Sequence, residues 1–272
     1  MSQNRFTLAV AALVLAIPAA VLAQESNGAW RSRAFVNFNI GVQTASPNFG
    51  YNYSTDFFNE TARAGLDIPG ATGLTFDVGG GVRLVQNFGV GVTYSRYNKE
   101  RNGTLSTTVP SPFDYNAAST AQQLLPLQRK EDAVHFQAIY KLPISKKFQV
   151  GVFGGPTYFR CLDDEVSQFA LLGTVGLSDF AWNVYFDNIT QTLNKENVWG
   201  YHAGADVNYL FARHFGVGGT VRYSDASHKT VNHLAYADNL YTDGMWGAEN
   251  TNVTVDMKHG GLQFNGGVSF RF

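Results

Sequence analysis

The chain has 272 residues, a formal net charge of −1 and only 15% charged residues, well below the roughly 25% of ordinary soluble domains. It contains 28 Gly, 13 Tyr and 21 Phe and no cluster of Lys and Arg, so neither a surface that faces water everywhere nor a nucleic-acid partner is expected. The single cysteine, Cys161, excludes an internal disulfide.

Residues 1–23 are typical of a secretory signal peptide. Arg5 precedes the apolar segment FTLAVAALVLAIPAAVLA, and the small residues at its end predict cleavage after Ala23. An N-terminal membrane anchor is the alternative, but Pro18 interrupts the apolar segment. No later run approaches the roughly 18 apolar residues that a spanning helix requires. We therefore expect an exported mature domain at residues 24–272.

The mature chain contains eight runs in which apolar residues alternate with polar or small ones. A period of two predicts β-strands with two unlike faces. In the first run, Val36, Phe38 and Ile40 alternate with Asn37 and Asn39. The eight runs cover residues 34–43, 74–84, 88–95, 133–142, 148–158, 199–209, 215–223 and 253–272.

The last run alternates most strictly, but its phase changes part-way. Val255 and Met257 are apolar at odd positions, whereas from Leu262 onward the apolar residues are at even positions. The pair Gly260–Gly261 lies between the two phases. It is expected to form a β-bulge that restores the register.

The connections between the runs alternate between short and long, the long ones covering residues 45–72, 98–129, 160–196 and 225–250. A transmembrane β-barrel explains this alternation, because its periplasmic turns are short and its extracellular loops are long. Lipid supplies no partner for a free strand edge, so the sheet must close. The sequence therefore predicts an all-β fold, an eight-stranded antiparallel up-and-down transmembrane β-barrel.

Aromatic residues near the ends of the runs predict two girdles at the membrane interfaces. The periplasmic girdle comprises Phe272, Tyr140, Phe148, Tyr209 and Phe215, and the outer one comprises Tyr94, Tyr158, Trp199 and Tyr223.

The signal peptide, the eight runs and the terminal NGGVSFRF together resemble the small outer-membrane β-barrel proteins of the OmpA-like and opacity-type group, including OmpW-like proteins. The ending is similar to the C-terminal signal that the outer-membrane assembly machinery reads. The resemblance implies a bacterial outer-membrane location, with outer-membrane lipid and that machinery as partners. The residues that would form the signal are Phe264, Gly266, Val268, Phe270 and Phe272.

Ionisable side chains on the inward faces define a candidate polar network in the lumen. An eight-stranded barrel is just wide enough for side chains to fill it, so we expect a lumen plugged by ion pairs and hydrogen bonds. Asp77 with Arg83, and Asp206 with Arg222, are candidate pairs; a narrow polar path for small solutes is the alternative. The network comprises Asp77, Arg83, Glu131, His135, Lys141, His202, Asp206, Arg222 and Arg271.

The sequence predicts neither an enzyme nor a cofactor. His228, His233 and His259 have no neighbouring Ser and acid in a triad pattern, so a lipid-modifying barrel enzyme is the weakest alternative. A metal site from His228, His233, Asp225 and Asp238 is also disfavoured, because their spacing matches no standard zinc pattern.

The predicted loops are rich in aromatic residues, which suit either binding of another surface or packing over the barrel mouth. We expect a structural or surface-interaction role through these loops, with a narrow porin-like channel for small solutes as the alternative. The aromatic residues are Tyr51, Tyr53, Phe57, Phe58, Phe113, Tyr115, Trp182, Tyr185, Tyr236, Tyr241 and Trp246.

Overall fold

The computed structural model describes residues 32–44, 48–57, 59–142, 144, 147–176, 181–238 and 249–272. The predicted signal peptide lies outside these residues. Within them, no helix combines the length and the hydropathy needed to span a membrane. The strands are β1 (Ala34–Gln43), β2 (Phe49–Phe57), β3 (Glu60–Ile68), β4 (Gly73–Val85), β5 (Phe88–Pro110), β6 (Ala118–Leu142), β7 (Phe148–Val175), β8 (Trp182–Leu210), β9 (Phe215–Asp238) and β10 (Glu249–Arg271).

Eight of these strands form a closed ring. β1 pairs with β4 on one side and with β10 on the other, and antiparallel pairing continues from β4 through β5, β6, β7, β8 and β9 to β10. The ring closes between β1 and β10, from Phe35 opposite Arg271 to Gln43 opposite Gln263. The predicted eight-stranded antiparallel barrel is confirmed, and its last strand closes it.

The prediction that four long segments are loops is wrong, because most of their described residues are strand. β5, β6, β7 and β8 are 23, 25, 28 and 29 residues long, whereas about 9–11 residues cross a membrane. β2 and β3 form a hairpin within the first predicted loop, and β3 pairs with the far half of β5. The wall of the barrel therefore continues beyond the membrane.

We call this continuation the extracellular head. It comprises β2, β3 and the described parts of residues 98–130, 162–196 and 226–259; the rest of the ring is the membrane barrel. At the far end of the head, residues 111–117 connect β5 to β6, and Gly176, next to the end of β7, donates a hydrogen bond to Ala181, next to the start of β8.

The outward face of the membrane barrel is apolar. Ile40, for example, keeps 64% of its surface exposed, which suits lipid rather than water. The other large exposed apolar residues of this belt include Phe38, Val42, Leu74, Phe76, Val90, Phe136, Val152, Val207, Val217, Val221, Phe264 and Val268.

The periplasmic girdle is exposed as predicted, at Tyr140, Phe148, Tyr209, Phe215 and Phe272. In the outer girdle Trp199 and Tyr223 are also exposed. Tyr94 departs from the prediction, because only 8% of it is exposed. Its hydroxyl donates a 2.6 Å hydrogen bond to Asp132 on the neighbouring strand.

The predicted bulge at Gly260–Gly261 is wrong. β10 pairs with β9 without a shift, with Gly260 opposite Asp225 and Gly261 opposite Ser224. Odd residues of β10 face inward on both sides of the glycine pair, since Met257 and Gln263 are both buried. What changes is the interior, which is apolar in the head and polar in the membrane barrel.

The interior of the head is an apolar core. It joins the β2–β3 hairpin to the far halves of β5, β6, β7, β8 and β10, so the hairpin covers one side of the head. Its buried members are Tyr51, Ala62, Leu66, Ile68, Leu105, Val109, Leu125, Leu127, Val166, Phe169, Leu171, Val184 and Val255.

Candidate functional site: the filled barrel interior

The periplasmic end of the lumen holds a buried cluster of cations. Lys141 Nζ donates a 2.5 Å hydrogen bond to Asp206 Oδ2, and Asp206 also accepts from Asn208. The ring of Phe35 lies 4.9 Å from the Arg271 guanidinium carbon and 5.7 Å from Lys141 Nζ. Cation–π contacts of this kind gain strength where water is excluded. The cluster therefore occupies the lumen just above the periplasmic turns.

A second ion pair lies further into the membrane barrel. Arg222 Nη2 donates to Asp77 Oδ2 at 2.5 Å, and Arg222 Nε donates to Gln263 Oε1 at 2.7 Å. Asn265 Nδ2 donates to the same oxygen of Asp77 at 2.8 Å. The carboxylate of Asp77 and the guanidinium of Arg222 are thus held by β4, β9 and β10 together, and both residues are almost fully buried.

The ion pairs suggested by the sequence are both wrong. Asp77 and Arg83 are six residues apart on one strand, which separates them by about 20 Å. Arg83 lies half-buried near the periplasmic end of β4. Arg222 pairs with Asp77, and Asp206 is bound by Lys141 instead.

The two predicted lumen histidines belong to one hydrogen-bonded chain. His135 Nε2 lies 2.8 Å from Ser95 Oγ, and His135 Nδ1 lies 2.9 Å from Thr157 Oγ1. His202 Nδ1 lies 2.9 Å from the same threonine oxygen. His135 is 0% exposed, so the Ser95–His135 contact lies wholly inside the lumen. These contacts hold both histidine rings in fixed positions.

A charged layer lies at the junction between the membrane barrel and the head. Glu131 accepts hydrogen bonds from Arg129 Nε at 2.9 Å and from Gln43 Nε2 at 2.8 Å. Arg129 Nη2 also lies 2.7 Å from His259 Nδ1, and the His259 ring stacks on His228 at a centroid distance of 5.0 Å. This layer closes the lumen beneath the apolar core.

Glu131 is a predicted lumen residue, but three other members of this layer are not predicted by the sequence. Arg129 lies in a predicted loop, and His259 enters the prediction only as a weak triad candidate. Asp163, whose carboxylate lies 3.5 Å from Arg129 Nε, was also in a predicted loop. The alternation of inward and outward residues along β6 would have identified Arg129, because Arg129, Glu131 and His135 are all odd-numbered residues of this strand and face inward.

The layers are connected through the lumen. Gln263, bound to Arg222, donates through Nε2 to Gln43 Oε1 at 2.5 Å, and Gln43 donates in turn to Glu131. The cavity between the two ion pairs, bordered by Asp77 and Lys141, measures only about 30 Å³. That leaves room for no more than a few water molecules. Side chains therefore occupy most of the lumen at this level.

The C-terminal residues of the predicted assembly signal lie on the outer surface. Phe264, Val268 and Phe272 are exposed, Gly266 shares their face, and Phe270 is half-buried. Phe270 packs edge-on against the Phe38 and Phe215 rings, at centroid distances of 6.1 and 5.2 Å. Their reading by the assembly machinery stays a prediction.

The predicted loop aromatics divide into buried and exposed groups. Tyr51 is buried and its hydroxyl donates to the Val166 carbonyl at 3.2 Å. Phe113 and Tyr115, at the β5–β6 turn, are 55% and 78% exposed. Phe113 contacts Trp182 at a centroid distance of 6.2 Å. The side chains of Phe57, Phe58, Tyr236, Tyr241 and Trp246 lie outside the described residues.

The described residues contain no group of three or more His, Cys, Asp or Glu side chains that could hold a metal ion. The side chains of His233 and Asp238, which belonged to the disfavoured metal site, lie outside the description. His228 contacts His259, at 3.2 Å between ring nitrogens.

A family model for the outer membrane protein beta-barrel domain matches residues 9–272. The chain belongs to this family. Membership and the closed ring together assign it to the outer membrane. A search of curated protein sequences gives no match.

Solved structures with similar architecture are outer-membrane proteins. OprG from Pseudomonas aeruginosa is 12% identical with a TM-score of 0.47, covering 89% of this chain and 96% of its own. Neisserial surface protein A is 13% identical with a TM-score of 0.39, covering 88% and 97%. Outer membrane protein W of E. coli is 15% identical with a TM-score of 0.31, covering 92% and 100%.

Proposed function

We propose that this outer-membrane barrel is a non-conducting anchor that presents the extracellular head for contact with other surfaces. The observation that carries the proposal is the filled interior. The Lys141–Asp206 and Asp77–Arg222 pairs cross the lumen, and the Glu131 layer and an apolar core lie above them.

The energetics favour a plug that stays closed. A buried ion that loses its partner costs several kcal/mol, roughly 3–5 kcal/mol in measured cases. Opening a continuous water path past Arg222 would break its contacts with both Asp77 and Gln263. Water would also have to enter the apolar core of the head, where leucine and valine side chains offer it no hydrogen bonds.

The end of the head supports the contact role. The two hairpin ends touch there, since the Ser119 hydroxyl on β6 accepts a 3.2 Å hydrogen bond from the Val184 backbone N–H on β8. Phe113 and Tyr115 project at this end. Exposed aromatic side chains are enriched in protein interfaces.

Planar-bilayer recording tests the closed interior. We expect the wild-type protein to give no stable single-channel current. The double variant Arg222→Ala/Lys141→Ala removes the cations of both ion pairs but leaves the Glu131 layer and the apolar core in place. It should therefore stay closed as well, and a reconstituted porin of known conductance serves as the positive control. Stable conductance by the wild type would refute the plug and would support the runner-up, a narrow channel for small polar solutes that uses the polar lumen.

Surface labelling tests the presentation of the head. In a Cys161→Ser background, Tyr115→Cys should react with a membrane-impermeant maleimide on intact cells. Ile144→Cys, at the opposite end of the barrel and also exposed, should react only after the outer membrane is permeabilised. The reverse result would invert the orientation. Whole-cell adhesion to a glycan array, compared with the Phe113→Ser/Tyr115→Ser variant, then tests for a surface ligand.

A further inference from the structure

Four basic side chains lie on the outer surface of β5, β6, β7 and β8, at the junction between the membrane barrel and the head. Strand pairing places Arg96 beside Asp132 and Asp132 beside Arg160. One row further out, Lys130 lies beside Leu162, which in turn lies beside Lys195. Neighbouring strands are about 4.8 Å apart, so the four cations occupy a patch two rows high and four strands wide.

The charge of this patch is only partly balanced within it. Asp132 is the one acid in the two rows; it lies 3.8 Å from Arg96 Nε and accepts the Tyr94 hydroxyl. Glu100 and Asp164 lie in the next row towards the head, where Asp164 accepts a backbone N–H of β6 at 3.0 Å. The two rows nearest the membrane therefore carry a net charge of +3.

Arg160 has unused hydrogen-bonding capacity. Its Nε is buried and makes no hydrogen bond to the described residues. A buried guanidinium N–H without a partner is costly, and a planar guanidinium is well suited to bind the oxygens of a phosphate. A phosphate group beside Arg160, whose side chain as a whole is half-buried, would supply acceptors to this guanidinium.

An aromatic row lies immediately below the cations. Tyr158 and Trp199 are 5.2 Å apart between ring centroids, and Phe136 stacks on Trp199 at 6.4 Å. Amphipathic aromatic rings of this kind mark the level of the lipid headgroups in membrane barrels. The cations above the row are therefore at the height of the headgroups of the outer leaflet.

Below the aromatic row, the lipid-facing wall contains an apolar groove of about 570 Å³. Its floor is low because Gly154 and Gly155 carry no side chains, and its sides include Val90, Val92 and Ala138. The groove opens on the apolar belt of the membrane barrel. Its occupant in a membrane must therefore be a hydrocarbon chain.

We propose that this face binds a phosphorylated, multiply acylated glycolipid of the outer leaflet. Phosphate oxygens contact Arg96, Lys130, Arg160 and Lys195, and one acyl chain lies in the groove beneath. We call this surface the glycolipid face. It adds a specific lipid contact to the proposed anchor and does not depend on what the head binds.

The neighbouring face of the barrel, formed by β9 and β10, has a different charge pattern. At comparable height on β9 and β10, the outward residues Asp225, Lys229, Asp256 and Lys258 alternate in sign. No net positive patch forms there. The two lysines of this side provide a charge-matched control for the glycolipid face.

Native mass spectrometry of the full-length refolded protein tests the proposal, with diphosphoryl hexa-acyl lipid A as the probe. The variant Lys130→Gln/Arg160→Gln should lower the affinity roughly 30-fold, because each basic residue near an anionic lipid surface contributes about fivefold. Lys229→Gln/Lys258→Gln should change it by less than about twofold. Heat-dependent gel mobility verifies that each variant is folded.

Lipid and groove comparisons complete the test. Monophosphoryl lipid A should bind more weakly than the diphosphoryl form, and phosphatidylglycerol more weakly still. Ala138→Leu, which fills the groove from the lipid side, should weaken binding of hexa-acyl lipid A without affecting the deacylated phosphorylated disaccharide. The proposal would be overturned if Lys130→Gln/Arg160→Gln and Lys229→Gln/Lys258→Gln lost the same affinity for lipid A, or if phosphatidylglycerol bound as tightly as lipid A. Either result would mean that the patch attracts anionic lipids non-specifically.

Discussion

Removing Asp77 should destabilise the barrel by more than the loss of the hydrogen bonds to its Oδ2 atom alone, because Arg222 also loses its counter-ion. In Asp77→Leu the guanidinium of Arg222, only 2% exposed, keeps Gln263 as a neutral partner but loses its counter-ion. Breaking a buried ion pair in this way costs about 3–5 kcal/mol. In Asp77→Leu/Arg222→Met the uncompensated charge is gone. The remaining cost is about 1–3 kcal/mol, because the Asn265 amide still loses its acceptor.

Reversible urea unfolding in lipid vesicles, followed by tryptophan fluorescence, measures Asp77→Leu, Arg222→Met and the double variant against the wild type. We expect the double variant to be more stable than Asp77→Leu alone, with a coupling energy of at least about 2 kcal/mol between the two sites. Asp225→Asn, on the outer surface, controls for the loss of a carboxylate and should change stability by less than about 0.5 kcal/mol. Additive single effects, or a loss below about 1 kcal/mol for Asp77→Leu, would refute the buried pair.

Three further outcomes are expected. Gly260→Ala should destabilise the protein by about 1–3 kcal/mol, because φ is 88° and the added Cβ would lie 2.3 Å from a backbone oxygen. Gly266→Ala should be nearly neutral in the same urea titration, because its Cβ would make only an ordinary 3.8 Å contact. Burial and the nearby Asp163 raise the pKa of Glu165 in the head. The charged carboxylate therefore lowers the stability of the folded protein at any pH above the ordinary pKa of a glutamate. Glu165→Gln should be more stable than the wild type at pH 8 and lose that advantage at pH 4. Phe272→Asp should reduce membrane insertion, measured by heat-dependent gel mobility, and normal insertion would contradict the predicted assembly signal.

The membrane barrel was predictable from sequence because lipid and lumen impose opposite chemistry on alternate residues. Phe38 and Ile40 face lipid while Asn37 and Asn39 face inward, and the pattern needs no knowledge of distant contacts. The ring closure between β1 and β10 follows from the requirement that no strand edge meets lipid. Partners within the lumen could not be predicted in the same way, since they depend on which side chains reach across several strands.

The head was missed for a physical reason. Its strands lie in water, so their outward residues, such as Asn102 and Gln122, are polar, and their inward residues, such as Leu105 and Leu127, are apolar. That is the reverse of the membrane barrel. Outward apolar residues such as Leu124 and Leu193 are isolated in the head, so the alternating pattern of the membrane barrel ends at the outer girdle and predicts loops beyond it.

The apparent change of phase at Gly260–Gly261 is the clearest sign of this reversal. A true bulge would move the side chains of β10 to the other face, yet Met257 and Gln263 both point inward with no shift against β9. A strand therefore leaves the membrane where its inward residues change from polar to apolar while the same alternate positions continue to face inward. The same test applies to β6, where inward Leu127 gives way to Arg129 and Glu131, so two strands on different sides of the ring locate the membrane boundary at the charged layer.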